Sequence, residues 1–283
     1  MVFAAKRYTV VVMVRAKWLG DAARSSRGAV LSNGLRAVVD VLFPRTCPGC
    51  EVVSTLDEDL WCADCAEQLT ASAGRMYCPT CGVDVGPYTT PDDRCFRCRD
   101  HKPPYDQLVR VGVFSGLLRH LLLGYKFRHQ YRLDRGLAQL LGDALIGRSG
   151  AATFDAVVPI PSRAHGRHGR PHRPVARLAS EVGRLLDLPA LPLLGKRRSV
   201  RPQRGLSATA RWENIRGAFH LRPGVRVTGT TLCLIDDIST TGATLHEAAN
   251  VLRAGGATVV WAAVVAKTDP DRRDGPLDGR TQV

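Results

Sequence analysis

The chain is short of long apolar runs, of aromatic residues and of acidic charge. No apolar run approaches the roughly 20 residues needed to span a bilayer. Val10–Val14, the apolar stretch near the N-terminus, stops at Arg15 with no small-residue cleavage site behind it. Integral membrane and secreted classes are therefore disfavoured, and the expected location is cytoplasmic. Aromatic residues make up 6% of the chain, which gives poor support to a stacking platform for single-stranded bases. A Walker G-x-x-x-x-G-K loop and a Rossmann G-x-G-x-x-G are both absent. What is present is globular composition: 283 residues, 45% hydrophobic and 23% charged. That is enough for one large or two smaller domains with a sizeable core.

The scarcity of acids leaves a net charge of +14, from 40 Lys and Arg against 26 Asp and Glu. Such a balance favours an anionic partner. The charge is concentrated. Between Arg163 and Arg211 there are twelve basic residues and two acids, Glu181 and Asp187, a net +10 of the chain's +14. One reading is a solvated arginine-rich face. The other is a phosphate site, because guanidinium forks match phosphate geometry.

Cysteine is clustered as strongly. Eight of nine form four C-x-x-C pairs, Cys47/Cys50, Cys62/Cys65, Cys78/Cys81 and Cys95/Cys98, separated by 11, 12 and 13 residues. Two thiolates two residues apart chelate one ion from a tight turn, and two such turns complete a tetrahedral shell of four thiolates. Pro48, Gly49, Pro79 and Gly82 supply the turn chemistry. A disulfide framework does not fit a chain without an export signal, and redox dithiols come singly. Two structural Zn²⁺ sites are expected, with an iron–sulfur cluster as the alternative. Joining neighbouring pairs gives the simpler loops, and a cross-braced pairing is the other arrangement. Cys233, alone in an apolar segment, reads as a core residue.

Residues 1–35 read as a basic, disordered extension and 36–100 as the zinc module, entered through the apolar segment Val38–Phe43. After the linker His101-Lys102-Pro103-Pro104, strands and helices alternate across 104–268, and 269–283 is a polar tail. Leu108–Phe114, Asp155–Ile160, Thr231–Ile235 and Thr258–Val265 read as strands. Leu117–Leu123, Leu133–Ile146, Val175–Leu188 and Thr244–Arg253 carry helical spacing, with Gly255-Gly256 as a stop. The expected class is α/β, a parallel doubly wound sheet preceded by a small Cys-rich module.

The chemistry-bearing segment is 232–244. An apolar strand meets two adjacent carboxylates, Asp236 and Asp237, followed by Ser239, Thr240, Thr241, Gly242, Ala243 and Thr244 at the start of a helix. Ligands of parallel sheets bind at the carboxyl ends of the strands. Backbone amides and hydroxyls at a helix N-terminus suit a phosphate. Two carboxylates would repel that phosphate but accept hydrogen bonds from vicinal sugar hydroxyls, so the pattern reads as a ribose 5-phosphate grip. Both carboxylates are expected to face outward into a crevice, so that removing their charge would not lower the melting temperature.

Residues 232–244 resemble the phosphoribosyl-pyrophosphate (PRPP) signature of type I phosphoribosyltransferases. With the cysteine module, the chain over about 38–268 resembles the ComF family of double-zinc-ribbon, phosphoribosyltransferase-like proteins. Leu42-Phe43-Pro44, Lys126-Phe127, Val158-Pro159-Ile160-Pro161 and Arg201, Gln203, Leu206, Arg211, Asn214, Ala218 and Phe219 add to the likeness. The resemblance implies that Asp236 and Asp237 hold the ribose hydroxyls and that 239–244 hold the 5-phosphate. It places a pyrophosphate turn at 159–162, with Ile160 and Pro161 as candidate contacts. It also places a closing hood at Lys196–Arg211, with Arg198, Arg201 and Arg211 as candidate contacts. Mg²⁺ would accompany PRPP, and no residue stands out as the general base for an acceptor. Where the family carries an R-G-[FY]-[ND]-Q-like stretch this chain reads Arg170-Pro171-His172-Arg173-Pro174, so 171–174 receive no role. The family's association with competence implies a second function class, a non-catalytic module of DNA uptake that binds single-stranded DNA or partner proteins.

Overall fold

The computed structural model describes residues 46–53, 60–86, 94–100, 102–128, 130–149, 154–161, 173–197 and 207–269. The basic extension, the apolar entry Val38–Phe43, almost all of the tail, and Arg198 and Arg201 lie outside them. The Cys-rich module contributes helix α1 (Ala63–Ala73) and a 3₁₀ turn (Phe96–Cys98). The remainder runs β1 (Gln107–Val113), α2 (Gly116–Phe127), α3 (Leu133–Ser149), β2 (Ala156–Pro159) and α4 (Pro174–Leu186). It continues with β3 (Leu194–Lys196), α5 (Ala208–Ile215), β4 (Phe219–Leu221), β5 (Thr231–Ser239), α6 (Ala243–Ala254) and β6 (Val259–Lys267).

Four strands form a wholly parallel sheet in the order β1-β6-β5-β2. Near-continuous apolar runs such as Thr231-Leu232-Cys233-Leu234-Ile235 suit strands covered on both faces. Alternation sends Cys233 and Ile235 into a core with α2, α3 and α4, including Leu121, Leu137, Leu141 and Leu178. Leu232 and Leu234 face the opposite core, with Leu245, Ala248 and Leu252 of α6. The class is α/β, with helices on both faces. Helix α4 starts with a proline in its first turn and buries Val175, Leu178 and Val182 on one stripe. Helix α6 ends before Gly255, and Gly256 takes a φ of 97°, which favours glycine.

The sequence ends its third strand at Ile235; the structure carries β5 to Ser239. Strand β6 is equally long, and the pairs Ile238↔Ala266 and Ser239↔Lys267 hold the extra residues in the ladder. The two acids therefore lie within a strand. Unforeseen elements are α1, the antiparallel β3–β4 ribbon and α5. Of the expected hood, Lys196 closes β3 and Arg211 lies on α5.

The Cys-rich module lies against the open edge of β1. Leu108 N–H donates to the Pro79 carbonyl at 2.7 Å and Arg110 N–H to the Tyr77 hydroxyl at 3.4 Å. The Arg110 guanidinium, almost fully buried, is paired with Asp84 and stacked on the Tyr77 ring at 4.9 Å. Leu69 of α1 is buried in the same core as Val109 and Leu118. An edge strand that would otherwise offer free backbone groups is thereby covered.

Candidate functional site

The eight paired cysteines gather as two tetrads, Cys47/Cys50/Cys62/Cys65 and Cys78/Cys81/Cys95/Cys98, with the sulfurs of each within 4.8 Å of one another. Neighbouring pairs are therefore joined, and the cross-braced arrangement is excluded. Each begins with the same turn: Cys47 N–H donates to Val52 O, and Cys78 N–H to Val83 O. Amides of Gly49 and Cys62 point at the Cys47 sulfur, both at 3.4 Å. Burial opposes ionisation of Cys47, yet these amides win and bring its pKa down to about 7. At Cys78 a hydrogen bond from Cys81 is the largest influence and brings it to about 4, while Cys81 is pushed up by its contact with Cys78. Two groups of four sulfurs packed this closely fit the donor sets of two tetrahedral Zn²⁺ sites.

The second site lies where β5 meets α6. Asp237 is 2% exposed, and Lys126 Nζ from the last turn of α2 reaches its two oxygens at 3.0 and 2.8 Å. The expectation that both carboxylates face open crevice is corrected here. Asp237 turns to the α2–α4 face because its position has the parity of Cys233 and Ile235, and it meets a cation there. Burial pulls the Lys126 pKa down, but the charges of Asp237 and Asp236 outweigh it and leave it raised. Asp236 is half-buried. Burial, then the charge of Asp237, lifts its carboxyl to about 7 against the pull of Lys126. Its Oδ1 accepts from Asp237 N–H at 2.9 Å.

Lys126 is held from behind. The hydroxyl of its neighbour Tyr125 donates to Asp134 at 2.6 Å and lies 2.7 Å from the Pro174 carbonyl, while Arg177 pairs with Asp134. The last turn of α2 and the first turns of α3 and α4 are thus tied together beside the end of β5. Sequence reasoning placed Lys126 in the family likeness without giving it a role. Its partner lies 111 positions away, a separation no local pattern reveals.

Beyond the acids the chain turns sharply. Ser239 is buried, with an Oγ that has no hydrogen-bond partner among the described residues. Thr240 O accepts from the Lys267 ammonium. Gly242 takes a φ of 80°, a left-handed conformation that opens α6, and the Thr241 hydroxyl accepts from Ala243 N–H at 3.4 Å. Thr244 stands in the first turn of α6. The structure therefore brings Asp236, Asp237 and 239–244 to one end of one strand.

The turn after β2 joins them, since Ile160 N–H donates to Ile235 O at 2.9 Å and Pro161 follows, half-buried. Helix α5 packs on α6, with Trp212 edge-on to His246 at 5.0 Å between ring centres. Arg211 on α5 has a buried Nε with no hydrogen-bond partner among the described residues. Arg198 and Arg201 lie outside the described residues.

A parallel α/β sheet behind two cysteine tetrads defines the class, and residues 38–102 match the double zinc ribbon domain family. Competence protein F of Haemophilus influenzae is 32% identical over 204 residues, 68% of this chain and 83% of that one. DNA utilization protein YhgH of Salmonella typhimurium is 32% identical over 227 residues, 77% of this chain and 96% of that one. The Escherichia coli K12 protein of the same name is 29% identical over 234 residues, 80% and 98% of the two chains. The chain belongs to the family of these proteins, the ComF family. Among solved structures it is similar to the glutamine PRPP amidotransferase of B. subtilis, 22% identical over 46% of this chain and 25% of that one, TM-score 0.31. It is also similar to the adenine phosphoribosyltransferase of Saccharomyces cerevisiae, 19% identical over 47% and 69%, TM-score 0.32. At these scores neither likeness bears on function. Among the described residues no helix is long and apolar enough to cross a membrane.

Proposed function

We propose that the chain is a phosphoribosyltransferase-like protein that grips the ribose 5-phosphate of PRPP at the carboxyl end of β5. The observation that carries the reading is the loop from Ser239 to Gly242. It leaves the strand directly beyond two acids and starts α6 in a left-handed glycine, so that first-turn amides and the hydroxyls of Thr240, Thr241 and Thr244 can surround an anion.

On this reading Asp236 accepts a ribose hydroxyl directly. Asp237 serves the sugar through, or in exchange with, Lys126, whose charge also faces the incoming phosphates. Ile160 and Pro161 line the pyrophosphate side, and Arg198, Arg201 and Arg211 are candidates to close over it. Mg²⁺ bound with PRPP would neutralise the departing pyrophosphate. No residue is assigned as an acceptor's base.

The names of the relatives, a competence protein and a DNA utilization protein, favour a cellular role in DNA uptake or use. A non-catalytic module that binds single-stranded DNA or uptake proteins is therefore the second reading. Calorimetry separates the two. PRPP with Mg²⁺ should bind one to one, and DNA oligonucleotides at two salt concentrations should bind with the steep salt dependence of a backbone contact. Binding of DNA without PRPP would favour the second reading.

A further inference from the structure

The two tetrads differ in what lies behind them. From the second, two side chains run to the 239–242 loop. Lys267, the last residue of β6 and 5% exposed, donates from its ammonium to the carbonyl of Thr240. On its way it passes Gly82, the residue after Cys81; a methyl group at Gly82 would lie 3.5 Å from Lys267 Cγ. Tyr105, 7% exposed, donates to the carbonyl of Thr80, inside the Cys78–Cys81 turn, at 2.9 Å. Its hydroxyl is the nearest atom to the open face of Gly242, 3.9 Å from where a Cβ would stand. The ladder ends in the same place, with Thr268 N–H donating to Ser239 O at 2.9 Å.

The consequence follows from peptide geometry. In a planar trans peptide the carbonyl and the following N–H point in opposite directions. A Thr240 carbonyl drawn inward onto Lys267 turns the N–H of Thr241 outward, toward the side from which an anion would approach. Without the ammonium that carbonyl would be free to rotate, and the amide with it.

We propose that the second cysteine tetrad positions the 239–242 loop through Lys267 and Tyr105, so that metal occupancy of this site and anion binding at the loop are coupled. Lys267 and Tyr105 are positioning residues. The anion half of the coupling rests on the ribose 5-phosphate reading; the positioning half does not. Reciprocity requires that whatever binds the loop also tighten the metal site.

The test is hydrogen exchange on the full, zinc-loaded chain without ligand, followed at the amides of Ala243 and His246, which bond to Thr241 and Gly242. In Lys267→Met these amides should exchange about tenfold faster, the loss expected of one hydrogen bond to a charged group, with zinc content unchanged. Lys267→Arg should restore them. Cys95→Ser, which opens the second site, should speed them likewise, whereas Cys50→Ser at the first should move them by less than about twofold on the same local-opening scale. Ribose 5-phosphate affinity should fall about tenfold in Lys267→Met, the same single-bond loss read as binding. Unchanged exchange in Lys267→Met, or equal effects of Cys50→Ser and Cys95→Ser, would overturn the proposal. Wild-type protein that binds no ribose 5-phosphate while the exchange differences appear would sink the ligand reading and leave the positioning role supported.

Discussion

The two cysteine tetrads share a chelating chemistry and differ in what they support. The first touches helices. Arg132, in the turn that leads into α3, donates to the Thr46 hydroxyl at 3.2 Å, and a side chain at Gly49 would meet Leu117 of α2. It keeps Val52 and Val53 exposed. The second faces the sheet, closing the edge of β1 through Pro79, Tyr77 and Asp84 and reaching the loop at the end of β5 through Lys267. Equal cysteine tetrads thus carry unequal structural consequences, decided by which secondary structure stands behind each.

The strongest way to break this comparison is to remove each site in turn. Replacing Cys78 and Cys81 by Ser should lower the melting temperature well beyond the matched change at Cys47 and Cys50, because it also uncovers the β1 edge and Arg110. Structural zinc contributes on the order of 10 kcal/mol to a small ribbon, so thermal unfolding with metal analysis should resolve the difference. Equal losses would mean that the second tetrad is no more than a ribbon clasp.

A smaller effect is expected at the ion pair. Asp237→Asn leaves Lys126 part-buried without its partner and should cost about 3 kcal/mol, the loss typical of breaking a buried pair from one side. The double change with Lys126→Met should recover much of it, and chemical denaturation would show whether it does. Comparable in size, Leu69→Ala should cost about 2–4 kcal/mol, although Leu69 belongs to the zinc module, because its side chain lies in the core of the α/β sheet. A loss under about 0.5 kcal/mol, the range of surface substitutions, would return the two units to independence.

The smallest effect concerns pH. The carboxyl of Asp236 is raised to about 7 in the folded chain, against about 4 when unfolded. Between those values the native state holds more protons than the unfolded one, so stability falls as pH rises through that window and is regained on acidification. Asp236→Asn should remove that slope, on the order of 1 kcal/mol per pH unit across the window, read from unfolding curves at a series of pH values.

Legibility in the sequence follows the range of the forces involved. The four C-x-x-C pairs, the strand–acid–hydroxyl–glycine segment and the α4 stripe are local patterns, and each lies where its spacing implies. The end of β5 is hidden because two carboxylates read as a break, whereas the equal length of β6 keeps them paired. The Lys126–Asp237 pair, the docking of α1 on β1 and the reach of Lys267 join residues more than two dozen positions apart, beyond any periodicity. Helix α1 is masked because cysteine spacing dominates its segment.

The central claim is the ribose 5-phosphate grip, and calorimetry of PRPP with Mg²⁺ on the wild-type chain beside Asp236→Asn tests it most directly. The account predicts one-to-one binding that weakens at least about tenfold in the variant, the cost of a lost charge-assisted hydrogen bond, while the variant's melting temperature holds or rises. Wild-type protein that gives no PRPP binding, or a variant that binds as tightly, would contradict it.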